Sequence, residues 1–157
     1  MKQRLTNDRG AVGKPGDMSG VWMKLHLLMM SVVVFLAVAM EGLVFFTSGF
    51  FLLPVSAPAR YVSRFMLAPL CLNLLLLLAA FWARGSKKLG ETARIGAVSL
   101  CAAGIGLVLY AAHRFFPAMD MVLMVPVVLT ILYGRAGLTA LVGAVSIAGK
   151  LFADFFL

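Results

Sequence analysis

Polar positions gather in short clusters between five apolar runs, at residues 25–53, 61–82, 93–116, 119–133 and 138–157. The first run is about 29 residues long, against the roughly 20 a helix needs to cross the hydrocarbon core. It carries one formal charge, Glu41, near its middle, and has no polar face to turn towards water. The pattern predicts an all-α protein, a polytopic membrane helix bundle of about five transmembrane helices, arranged around the first run. Residues 1–23 are polar, glycine-punctuated and without apolar period, which predicts a disordered cytoplasmic tail ahead of a transmembrane domain over 24–157.

Each later run has its own internal signal. The second begins at Arg60 and Arg64 and ends at Trp82 and Arg84, residue types that anchor at interfaces. Pro69 within it lacks the N–H owed to residue 65, so a kink is expected there. A short charged turn follows, in which Thr92 is placed to cap the next helix. The third run holds Ser99, Ala102, Ala103 and Gly106, spaced as small-xxx-small pairs that let backbones approach closely. The fourth is short, so it spans only by borrowing flanking residues or thinning the bilayer, and Pro126 should kink it. A tight turn is expected over 134–137. The fifth carries Ala140, Ala144 and Ala148 at four-residue steps, which reads as a helix-packing face, and Lys150 and Asp154 within pairing reach.

Composition agrees with lipid as solvent. The apolar share is 62%, the charged share 13% and the mean hydropathy +1.01, whereas soluble domains are about half apolar and a quarter charged. The net charge of +8 sits in clusters beside apolar runs without interleaved aromatics. That excludes nucleic acid as the reading and points to topology signals beside anionic headgroups. Cys71 and Cys101 fall inside apolar runs and read as buried structural thiols. Residues 55–57 resemble a signal-peptide cleavage site, but the run before them is about twice the usual 7–15 residues, so cleavage is not expected.

Charge also sets direction. With the N-terminus inside and five spans, only Arg60, Arg64 and Arg114 of the 14 cations fall in outer loops, and Lys150 falls in a span. This is strong positive-inside bias for a multi-pass protein of the cell membrane with a cytoplasmic N-terminus. The bare apolar end, Phe155-Phe156-Leu157, is expected to belong to a longer chain, with a sixth span returning to the cytoplasm.

Glu41 is the sharpest chemical signal. A carboxylate at bilayer depth costs roughly 2.5–3.5 kcal/mol on insertion scales, so it must face protein, water or a partner charge. A proton, cation or ligand site and a protonated, hydrogen-bonded structural glutamate weigh about equally. Asn73 is a candidate ligand contact, although polar glue between helices is the more frequent role of such a residue. Pro69 and Pro126 are candidate hinges, against the commoner static kink. His26 and His113 lie at span ends as interfacial side chains; neither has a carboxylate or second histidine at metal spacing, so no metal and no cofactor is expected. No GxSxG, HExxH, P-loop or strand-borne GxGxxG is present, so no catalytic residue is assigned.

Two segments, RYVSRFMLAPLCLNLLLLL at 60–78 and the stretch from MDMVLMVP to KLFADFF at 119–156, resemble the N-terminal membrane region of bacterial GGDEF-domain diguanylate cyclases. The features are the Arg-rich entry, Pro69 with Asn73, Pro126 followed by Tyr133 and a tight turn, and the aromatic-acidic end. In that family several spans precede a cytoplasmic cyclase domain. The resemblance implies a sensory or anchoring input module of a signalling protein, apart from its output domain, in the bacterial inner membrane. The chain carries no GGDEF motif, so no catalytic residue transfers. Two readings of other classes stand beside it: a small transporter or channel using Glu41, and a structural subunit of a membrane assembly. The partners expected are membrane lipids, a hydrophobic or small-molecule ligand between helices, and a second copy of the chain.

Overall fold

The computed structural model describes residues 15–51, 62–113 and 119–156. Among these all regular structure is helical: α1 spans Pro15–Phe51, α2 Ala68–Gly85, α3 Glu91–His113, α4 Met119–Ile131 and α5 Ala136–Phe156, and a π-helical turn, Val62–Leu67, leads into α2. The all-α bundle expected from the apolar runs is therefore observed. Four helices are long and apolar enough to cross a membrane: α1 over Ser19–Thr47, α2, α3 and α5. The fourth run forms a helix of 13 residues, shorter than a span needs.

Residues 15–23, expected in the disordered tail, are helical instead. Proline suits a helix's first position because its missing N–H has no partner there anyway. The rest of that tail, the loop prolines Pro54 and Pro58, and Arg60, Arg114 and Pro117 lie outside the described residues, as does the side chain of Arg64.

The hub is α3 rather than α1. Half of α3's apolar window is buried, against 17% for α1, α2 and α5. Its small residues explain this. Ser99 and Ala103 are fully enclosed and Ala102 and Gly106 are buried, so the small-xxx-small pairs do what their spacing implied. A side chain at Gly106 would meet the backbone oxygen of Val122 on α4 at 3.4 Å, and one at Gly149 on α5 would collide with Leu107. The outward surface is apolar: Phe35, Phe46, Trp82 and Phe155 are largely exposed. Such a surface belongs against lipid.

The ladder Ala140, Ala144 and Ala148 does not pack against another helix of the described chain. All three are exposed, and α5 packs through Val142, Ser146, Gly149 and Ala153 instead. That stripe alternates steps of four and three residues, which tracks one helix face, whereas steps of four drift around it. The thiols also differ from expectation: Cys71 is exposed and Cys101 half-buried, since lipid solvates a thiol as readily as a packed core does.

Polar contacts hold the helices in register at both ends of the bundle. At one end Arg135, just before α5, donates to Thr92 Oγ1 on α3 at 2.7 Å and stands 4.0 Å from Glu91. Thr92 is thus inside the first turn of α3 and not its cap; α3 begins one residue earlier, and the Arg94 N–H donates to the Gly90 carbonyl. At the other end Lys150 of α5 lies 2.8 Å from Asp120 on α4 and 3.1 Å from Asp154, the pairing its spacing allowed. It also donates to the Tyr110 hydroxyl on α3 at 2.6 Å, and that hydroxyl donates to Asp154 at 2.5 Å. Along α3 the two clasps are about 27 Å apart at 1.5 Å per residue, close to the ~30 Å hydrocarbon thickness. The short α4 connects the two levels, with Asp120 at one clasp and Gly134, at φ 63°, making the turn into the other.

Candidate functional site

α1, α2 and α3 converge near the end of the bundle that carries Lys150. The residues the sequence marked on separate runs meet there. Glu41 of α1 places Oε1 3.1 Å from Nδ1 of His113, the last residue of α3, and both side chains are mostly buried. Beside them a cleft of about 360 Å3, counted out to its open mouth, is lined by Glu41, His113, Asn73 and Pro69 with apolar walls that include Val34 and Leu109.

Local structure explains the placement. The π-helical turn Val62–Leu67 runs directly into α2, and Leu67 keeps helical dihedrals, φ −70° and ψ −47°. Pro69 therefore stands in the first turn of the α-helical segment, where its missing N–H is tolerated. The change of helix type stands immediately before Pro69, in the span where a kink was expected. π-Turns of this kind are frequent at functional sites. Asn73, one turn further on, faces inward and is 2% exposed; its Oδ1 has no hydrogen-bond partner among the described residues. Leaving a buried polar group unsatisfied costs about 1–3 kcal/mol.

Glu41 stands level with the end of α3, and α1 begins at Pro15, ahead of its apolar run. His113, read from sequence as a simple interfacial side chain, is a polar partner of Glu41.

Pro126 lies apart from this site. α4 continues through it as helix, and it is buried against Gly106 along a separate apolar cleft of about 300 Å3 that also touches Met30 and Leu129. At the opposite end of α1, His26 is 1% exposed, its Nδ1 3.1 Å from the Tyr133 hydroxyl and its ring stacked on that tyrosine at 5.8 Å. Neither the His113 nor the Tyr133 contact had a local sequence signal, because the partners are far apart in the chain. Among the described residues no group of three His, Cys, Asp or Glu side chains could hold a metal ion.

Four candidate spans, an apolar outer surface and polar groups turned inward define the class: a multi-pass membrane helix bundle in contact with lipid. Compared with protein-family models, curated proteins and solved structures, the chain matches none.

Proposed function

We propose that this chain is a membrane-embedded sensory or anchoring input module of a signalling protein, with its N-terminus in the cytoplasm. The observation that carries this reading is the cleft between α1, α2 and α3. It joins an acid–base pair, a buried amide oxygen with no partner among the described residues and a change of helix type, all where three helices meet. A stimulus that binds one packing of α1 against α2 and α3 better than another shifts the population of packings. The resemblance to the membrane region of diguanylate cyclases suggests cyclase activity as the output, with Pro69 as a hinge at the cleft and Pro126 as a hinge in α4.

The test has two readouts. Spin labels at Met40 on α1 and Leu72 on α2, both exposed, report the interhelix distance in proteoliposomes. Glu41→Gln should shift or broaden the distribution, and cells expressing the gene with Glu41→Gln or Asn73→Ala should change their cyclic di-GMP level. An unchanged distance and unchanged nucleotide together overturn the reading. Thiol labelling at Lys88→Cys, in a background without Cys71 and Cys101, tests orientation; reaction from the periplasmic face would reverse it.

One observation favours a second reading. A carboxylate and an imidazole 3.1 Å apart can pass a proton between them, which suits a small proton transporter using Glu41. Proton flux in liposomes that Glu41→Gln abolishes would establish it over the sensory module.

A further inference from the structure

The chemistry of the cleft defines what it would bind. Its walls are apolar: Val34, Ala37, Val38, Met66, Leu70 and Leu109. Its polar groups are of two kinds. Glu41 and His113 already contact one another. Asn73 contributes a carbonyl oxygen that is buried, lines the cleft and has no partner among the described residues. An amide oxygen accepts hydrogen bonds and cannot donate. The missing complement is a donor carried on an apolar body that fits against these walls.

We propose that the cleft binds an uncharged amphiphile whose head carries a hydrogen-bond donor, a long-chain alcohol being the simplest example, with the donor on Asn73 Oδ1. This rests on the reading of the cleft as an input site and names the ligand class for it. A cationic head is disfavoured because His113 already occupies the near side of Glu41. An anionic head is disfavoured because it would meet the carboxylate and the amide oxygen. Acceptor-only lipids fill the apolar walls but leave Asn73 unsatisfied. The location suits such a molecule: the Glu41–His113 pair is at the level where α3 ends, and Val34 lies about two turns deeper along α1, roughly 10 Å at 1.5 Å per residue.

Methionine methyl resonances provide the test in lipid nanodiscs. Met66 lines the cleft, and Met121 is exposed on α4. The probes are 1-decanol and decyl methyl ether, which retains the acceptor oxygen but has no donor. At equal mole fraction in the lipid, 1-decanol should shift Met66 saturably while Met121 follows bulk lipid. The ether should bind roughly five- to tenfold more weakly, the worth of one hydrogen bond. Asn73→Leu should abolish the difference between the two probes. Ala37→Phe, which fills the cleft and keeps the amide, should abolish the saturable response itself. Equal binding of alcohol and ether to the unmodified chain, or parallel shifts at Met66 and Met121, overturns the proposal, and neither comparison depends on a variant folding. Saturable, donor-dependent binding without any change in α1–α2 distance would support the site and count against the sensory reading alone.

Discussion

Tyr110 and His113 lie one turn apart on α3, yet each holds a different neighbour. The Tyr110 hydroxyl donates to Asp154 on α5, while His113 meets Glu41 on α1. The last turn of the hub helix therefore fastens both sides of the bundle at one level. Lipid offers no hydrophobic drive between helices, so contacts of this kind and close packing set the arrangement. Each fastening can be cut separately.

Cutting the first should expose a coupling between Glu41 and His113. Both side chains are mostly buried, at 15% and 11% exposure, so removing either takes a short polar contact from the other. Unfolding in mixed micelles of Glu41→Ala, His113→Ala and the double variant should give an interaction energy of about 1–3 kcal/mol, the range for directly contacting residues. Additive single effects would mean that the pair is incidental.

Cutting the second is simplest at Tyr110, which is 4% exposed. Tyr110→Phe keeps the ring beneath Lys150, whose Nζ lies 4.6 Å from its centroid, and removes only the hydroxyl. Stability should fall by about 1 kcal/mol, measured by the same unfolding assay. Lys150→Met should loosen α4 from α5, because Asp120 and Asp154 then lose the cation they share. A tighter α4–α5 contact in that variant, read by crosslinking, would contradict the clasp.

Much of this arrangement was legible in the chain, and the failures share a cause. Long apolar runs reveal helices because lipid tolerates no other backbone solution than helices or closed barrels. The Glu41–Asn73 cleft was legible because a polar group in an apolar run must find a partner. Its partner His113 was not, since nothing local joins residues on different helices. The level of Glu41 within the bundle was not legible for a related reason: apolar length does not say where a helix begins, and α1 starts at Pro15. The alanine ladder did not reveal the face packed within the chain, because spacing alone cannot tell a face turned to a neighbouring helix from one turned outward. Gly149 showed the true face only once Leu107 was seen against it.

That contrast gives a third expectation. A Cβ at Gly149 would overlap the Leu107 side chain, so Gly149→Ala should cost about 1–3 kcal/mol through overpacking. Ala144→Leu, on the exposed face, should change the stability of the isolated chain by less than about 0.5 kcal/mol. Comparable losses in the two variants would place Ala144 at a contact, and chemical crosslinking would then identify a second copy of the chain.

The fourth concerns the far end of α1. His26 is almost wholly buried, its Nδ1 meets the Tyr133 hydroxyl, and its Nε2 has no partner among the described residues. Removing one member of such a pair strands the other. Replacing both by apolar groups of similar shape removes the demand altogether. Tyr133→Phe alone should therefore destabilise by about 1–3 kcal/mol, by leaving His26 with neither nitrogen satisfied. His26→Leu with Tyr133→Phe should recover most of that loss, since Leu27 and Met30 already supply an apolar setting. The unfolding midpoints of the two variants decide the matter. A double variant less stable than Tyr133→Phe would show that the stacked rings, 5.8 Å apart, contribute more than their hydrogen bond, and α1 would then be held at this end by shape and not by polarity.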